Sequence, residues 1–258
     1  MAALKDAALH SFLEEKAAKY NRTAFLDDDP VSIPHLFSKK EDIEIAAFLT
    51  ATISWGQRVT ILKNAHKLLD KMDRSPHQFI LHFKPSDLIP FRSFKHRTFN
   101  GEDCIFFLKS LQKIYKNQSS LEAIFVSQSK EENKTKEAII AARNTFFSLR
   151  HDLRQEKHFS DPARGSAAKR LNMFLRWMVR KDKAGVDLGI WKKMYSSDLL
   201  CPLDVHSGRV ARKLGLLARK QDDWQAVTEL TARLRKFDPL DPVKYDYALF
   251  GLGVFEKF

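Results

Sequence analysis

In the run Pro202-Leu203-Asp204-Val205-His206-Ser207-Gly208-Arg209-Val210-Ala211-Arg212-Lys213-Leu214, a carboxylate stands directly before a basic helix. An aspartate at that point is most simply an N-cap, its oxygens accepting hydrogen bonds from the first-turn amides. The same geometry would hold Asp204 rigid and ionised, because the helix N-terminus and Arg209 both favour the charged form. A fixed anion of this kind can stabilise a cationic sugar or align a nucleophile. His206, two residues on, reads as a hydrogen-bonding residue or as a proton shuttle. A second candidate is Gly165-Ser166-Ala167-Ala168-Lys169-Arg170-Leu171-Asn172. Small residues there let a partner backbone approach the first turn of a helix, whose free amides suit a phosphate. Lys169 lies on the polar row Lys169, Asn172, Arg176 and Arg180, so it is either a solvated surface lysine or, with its amine free of a proton, a nucleophile.

The elements that must position these groups are helices. Residues Ile43 to Ser54 are apolar nearly all round, as a buried helix requires, and Ile61, Leu62, Ala65, Leu68 and Leu69 form an amphipathic stripe. Pro76, Pro85 and Pro90 punctuate a stretch of loops and short helices. The row Ile105, Leu108, Leu111 and Ile114 predicts a further helix, and Leu121, Ile124 and Phe125 a shorter one. The polar run 127–137 reads as a connection or frayed helix start open to proteolytic nicking. Beyond Asp161-Pro162, the residues Leu171, Phe174, Leu175 and Met178 mark the buried face of the lysine helix. Gly185 to Tyr195 reads as a linker with a short helix that returns the chain toward Asp204. Val210 and Leu214 give the buried face of the aspartate helix, and Gly215 its end. Trp224, Val227, Leu230 and Leu234 mark the penultimate helix, and Asp241-Pro242 reads as the cap and first turn of the last one. No alternating strand pattern appears, so the expected class is all-α.

With 44 Lys and Arg against 32 Asp and Glu, the formal charge is +12, which suits an anionic partner, nucleic acid ahead of membrane. No apolar run reaches the roughly 18 residues of a membrane span, and Met1-Ala2-Ala3-Leu4-Lys5-Asp6 carries no signal-peptide stretch, so a cytoplasmic protein without a membrane partner is expected. Two cysteines, Cys104 and Cys201, are too few for a cysteine-ligated zinc or iron–sulfur site or for a disulfide framework. No metal site is expected.

Together the two motifs resemble the helix-hairpin-helix DNA glycosylases of the endonuclease III type. There a hairpin of pattern L-P-G-x-G-x-K-T-A-N precedes the segment V-D-T-H-x-x-R-V. Gly165 to Asn172 is similar to the first, with Ala167 at the second glycine, and Leu203 to Val210 to the second. The resemblance implies that Asp204 is the catalytic aspartate and Lys169 the lysine of the members that also cleave the strand. It further implies that Gln57, in Thr52-Ile53-Ser54-Trp55-Gly56-Gln57, fills the gap left by an extruded base, with Trp55 as wedge or stacking partner. Arg164, Gly165, Ser166, Arg170, His206 and Arg209 would contact DNA. Tyr247 to Gly253 resembles the family's last helix, after which some relatives carry an iron–sulfur loop; here no cluster is expected, and a monovalent cation could sit at the hairpin. The Lys169 to Asp204 spacing is similar to that of archaeal 8-oxoguanine glycosylases. More narrowly, the chain resembles an uncharacterised family of conserved bacterial proteins within this superfamily. Two helical lobes with a cleft between them follow: 36–184 with the hairpin, and 1–35 with 185–258 carrying the aspartate helix. The implied function is a monomeric base-excision repair enzyme acting on double-stranded DNA that contains a damaged base, with or without strand cleavage.

The alternative is a non-catalytic nucleic-acid-binding protein on the same scaffold. Arg164, Arg170, Arg176, Arg209, Arg212 and Lys213 would then track phosphates, with Phe91, Phe94 and Trp55 as stacking surfaces, although core packing is the simpler reading of the two phenylalanines. A helical protein-interaction module would leave the aspartate motif unexplained.

Overall fold

The computed structural model describes residues 6–125 and 134–258. Among them the chain is all-α, with ten α-helices and nine short 3-10 segments and no strand beyond two isolated bridges. The α-helices are α1 (Asp6–Tyr20), α2 (Lys40–Ile53), α3 (Arg58–Asp70), α4 (Pro76–His82), α5 (Gly101–Asn117), α6 (Lys134–Phe146), α7 (Lys169–Val179), α8 (Val205–Lys213), α9 (Trp224–Arg235) and α10 (Tyr245–Val254). The polar run 127–137 falls outside the described residues up to its last part, which opens α6. No described helix is long and apolar enough to cross a membrane.

The chain divides into two compact units, Leu26–Asp161 and the pair Met1–Phe25 with Pro162–Phe258. This differs from the boundary expected at residue 184, because the hairpin region and α7 belong with the aspartate helix. The physical reason is the C-terminal half of α7. The carbonyls of Trp177 and Met178 accept the amides of Leu188 and Trp191, both at 2.8 Å, and so tie the returning chain to α7. That return is irregular, with no helix between Gly185 and Tyr195, where a short one was expected. Val186 and Trp191 are buried in it, so packing and the bonds to α7, not helical hydrogen bonds of its own, fix its path.

In the unit Leu26–Asp161, α2 is the central helix, every residue from Ile43 to Ile53 being buried. Glu44, fully buried, is satisfied by the Tyr115 hydroxyl at 2.7 Å, the Ser120 hydroxyl at 2.6 Å and the Leu121 amide at 3.0 Å. Phe48 of α2 packs with Phe107, Phe146 and Phe159 in an aromatic cluster, with neighbouring ring centroids 4.7–6.1 Å apart. Each such ring contributes about 1.5–3 kcal/mol by leaving water. Asn100 and Asp103 start α5 as a reciprocal capping box. Phe91 and Phe94 are buried, so they pack in the core and offer no stacking surface.

In the other unit α10 packs on α1 and α8. Gly251 makes the first contact feasible: a Cβ there would lie 2.1 Å from the Tyr20 ring. The last helix begins differently from the expected cap at Asp241. A 3-10 turn, Pro242–Lys244, comes first, and the Asp241 side chain caps nothing; it is held by the Arg180 guanidinium at 2.9 Å.

Candidate functional site

Asp204 takes the N-cap position of α8 with extended backbone, φ −134° and ψ −177°. Its Oδ1 accepts from the amides of His206 at 2.9 Å and Ser207 at 3.0 Å, and its own amide donates to Ser207 Oγ at 3.0 Å. The cap therefore occupies one carboxylate oxygen. The other, Oδ2, faces Lys169 Nζ at 3.7 Å, and the two side chains keep 29% and 31% of their surface exposed. Burial pushes the Asp204 carboxyl up, but the Lys169 charge and the Ser207 and His206 amides outweigh it and leave the group below its ordinary value. An anion fixed by a helix terminus, with its second oxygen left free of the cap, results. Helix α8 ends as expected, with Gly215 at φ +71° and the Leu216 amide reaching back to the Ala211 carbonyl at 2.9 Å.

The turn that delivers Lys169 starts from a 3-10 segment, Pro162–Arg164. Gly165 follows at φ +84°, its carbonyl accepting the Trp224 amide at 2.9 Å, and Ser166 bridges Asp223. The left-handed residue that caps α7 is Ala168, at φ +46° and ψ +38°, and it is buried. For an alanine that conformation costs roughly 1–2 kcal/mol, so the surrounding bonds must impose it. Ser166 Oγ accepts the Ala168 amide at 3.2 Å, and the buried Asn172 donates Nδ2 to the Ala167 carbonyl at 3.0 Å. Ala167, where the resemblance has its second glycine, lies next to the position that carries the strain.

The expected DNA contacts in this unit separate by exposure. Arg164, Gly165, His206 and Arg209 are exposed, and Arg209 also donates to the Gly253 carbonyl at 3.3 Å. Ser166 is half-buried, as is Arg170, whose guanidinium burial lowers to about 10. Arg212 is half-buried and bound to Asp222 at 2.6 Å, whereas Lys213 is exposed.

Beyond Lys169 the polar row of α7 runs inward, contrary to the reading of Arg176 as a phosphate contact. Asn172, Arg176 and Arg180 are 1%, 4% and 2% exposed. The guanidiniums of Arg176 and Arg180 share Asp187, at 3.1 and 3.0 Å; Arg180 also binds Asp182 and Asp241, and Arg176 binds Asp246. Tyr247 covers both guanidiniums, with Arg176 4.3 Å from its ring centroid. Helical spacing placed these arginines on one row, but the carboxylates that neutralise them come from the irregular return after α7, Asp182 and Asp187, and from the C-terminal Asp241 and Asp246.

Asp246 is the site residue that sequence reasoning missed; its signal was a lone acid inside an otherwise apolar helix, Tyr245-Asp246-Tyr247-Ala248-Leu249. Burial raises its carboxyl to about 6, against the pull of Arg176 and Lys169 and with a push from Asp204. Because the folded value lies above the ordinary 3.8, the stabilisation from this group is complete below about pH 4 and is lost as pH rises through about 6. Asp246→Asn removes that dependence while leaving an oxygen for Arg176. Its unfolding free energy, measured in urea, should gain on the wild type by an amount of order 2–3 kcal/mol between pH 4 and 7 and run parallel above.

Trp55 and Gln57 belong to the unit Leu26–Asp161. Trp55 is half-buried, edge-on to His96 with centroids 4.9 Å apart and stacked on His158 at 6.0 Å; its carbonyl accepts His96 Nε2 at 3.0 Å. The indole is thus a supported wall. Gln57, exposed at the N-cap of α3, and Val59, 79% exposed, form the protruding part of this loop. Gly56 between them adopts φ +101°.

Cys104 and Cys201 are buried, and burial pushes both thiols up. No cluster of three or more His, Cys, Asp or Glu able to hold a metal ion occurs among the described residues. No curated protein and no solved structure matches the chain. A family model matches residues 29–255, spanning the Trp55 loop, the Lys169 turn and the Asp204 helix, and by that match the chain belongs to the family described as a protein of unknown function, DUF2400.

Proposed function

We propose that this protein is a DNA glycosylase that removes a damaged base flipped from duplex DNA and cleaves the strand through a lysine Schiff base. The observation that carries this reading is the approach of Lys169 Nζ to within 3.7 Å of the uncapped oxygen of Asp204, both side chains partly exposed. Likeness of the two motifs to those of the helix-hairpin-helix glycosylases and the net charge of +12 support it.

The target base must leave the stack, since its glycosidic bond is inaccessible within the duplex. As the C1′–N bond breaks, the electron pair departs with the base, which takes a proton from solvent, and positive charge grows on the sugar. Asp204 Oδ2, held by the helix amides through Oδ1, stabilises that charge without having to reorient. Lys169, once its ammonium has given a proton to solvent, bonds to C1′; the proton the new secondary amine sheds passes to the ring oxygen as the C1′–O4′ bond breaks, giving a Schiff base, and loss of a C2′ proton to solvent then expels the 3′ phosphate by β-elimination. Arg164 and Arg209, exposed in the unit that carries Lys169 and Asp204, bind phosphate.

A panel of duplexes with different base lesions, incubated with the protein and borohydride, should yield one covalent adduct on the cognate lesion. Lys169→Ala should form none. An adduct that persists undiminished in that variant would remove Lys169 from the nucleophile's role.

A further inference from the structure

The unit Leu26–Asp161 contains a groove of about 590 Å³ between the outer face of α5 and the chain from the end of α4 to Arg92. Its floor is apolar, made by Phe83, Leu88, Ile105 and Leu149. Its rim carries Arg92, Lys109, Lys113 and Lys116, and neither aspartate nor glutamate lines it. On α5 the positions Ile105, Lys109, Gln112 and Lys116 follow at offsets of four, seven and eleven, which puts one apolar residue and two cations on a single helical face. Ile105 belongs to the row of apolar residues that predicts α5, yet it is half-buried where Leu108, Leu111 and Ile114 are buried: it faces the groove.

We infer that this groove binds a small amphipathic anion, an alkyl or aryl body carrying a single carboxylate or phosphate. The volume is that of a small-molecule site, in which an apolar lining holds the body and a few polar groups fix the orientation. The charge is one-sided. Lys109, Lys113 and Lys116 repel one another at i, i+4 and i+3 spacing, and an anion set among them relieves that repulsion. Lys113 donates to Ser148 Oγ at 2.9 Å, which holds one ammonium at the rim; Arg92, Lys109 and Lys116 make no ion pair with any described residue. Duplex DNA alone would use the cations and leave the apolar floor without purpose. Lys169 and Asp204 belong to the other unit, so the binding site stands or falls apart from the proposed glycosylase chemistry.

The test is calorimetric titration of the full chain with decyl phosphate and with decanoate below their micellar concentrations, and with decyltrimethylammonium as the cationic counterpart. Both anions should bind at one site per chain and the cation at least tenfold more weakly. The double variant Lys109→Glu with Lys116→Glu alters two exposed side chains and should weaken both anions at least tenfold; Ile105→Asp should do the same by polarising the floor. Absence of anion binding, equal binding of the cation, or affinity unchanged in both variants would overturn the inference. So would displacement of decyl phosphate by an undamaged duplex at the same concentration, which would make the groove part of a nucleic-acid surface.

Discussion

Asp204→Asn should slow release of the cognate base by about two to three orders of magnitude, the scale of losing one preorganised electrostatic contact to a charged transition state. Folding should barely notice. Asparagine caps helices about as well as aspartate, and its Oδ1 can keep the bonds from the His206 and Ser207 amides, at 2.9 and 3.0 Å. What disappears is the charge facing Lys169, a half-exposed pair at 3.7 Å contributing about 1 kcal/mol or less. Asp204→Ala removes the cap as well, at a further cost of about 0.5–2 kcal/mol. Single-turnover base release, urea denaturation and salt-dependent DNA binding on the two variants separate the roles. The expected pattern is equal catalytic loss, unequal stability and unchanged binding. Full base release by Asp204→Asn would leave the aspartate a cap and nothing more. The carboxylate also persists further into acid than that of a free aspartate, since its pKa is lowered; the stabilisation it contributes is present above the ordinary value and is lost as pH falls through the lowered one.

Local rules made the helices legible. The all-round apolar pattern of 43–54, the glycine after α8 and the aspartate before it each state a helix, its stop or its start through forces acting within a few residues. Pairings across long separations were not legible. Lys169, Arg176 and Arg180 share a row, and a row of cations on an amphipathic helix ordinarily faces water. Here Arg176 and Arg180 meet Asp182 and Asp187 of the returning loop, Asp241 ahead of the last helix and Asp246 within it, and only the folded chain brings them together. Asp241 shows the competition directly: proline after aspartate signals a helix start, but two hydrogen bonds to the buried Arg180 hold the carboxylate instead. The boundary between the units was misplaced for the same reason, since it depends on what α7 binds and not on its own sequence. Ala168 defeats local reading in another way, because glycine would be expected in the left-handed turn and alanine fills it.

Asp187→Ala should destabilise the unit that carries the candidate site by about 3–5 kcal/mol, the usual result of removing one partner from a buried ion cluster. Its two oxygens each serve a different guanidinium, Arg176 at 3.1 Å and Arg180 at 3.0 Å, and the side chain is fully buried. Burial alone would lower the Arg180 guanidinium, yet Asp187 and Asp241 hold it above its ordinary value, so the cluster favours the charged form. Truncating Asp187 leaves both cations facing a cavity. Asp187→Asn keeps an acceptor and should cost less. Three of the four tryptophans, Trp177, Trp191 and Trp224, lie in this unit, so indole fluorescence in urea reports chiefly on it. Arg176 sits two turns beyond Lys169 on α7, and the cluster anchors the helix end opposite the strained Ala168 cap. Loosening it should therefore let α7 shift, lengthening the 3.7 Å approach of Lys169 to Asp204 and reducing borohydride trapping at urea concentrations where the variant is still folded. Trapping undiminished in a variant of clearly reduced stability would show that the Ser166, Ala168 and Asn172 bonds suffice to position the lysine.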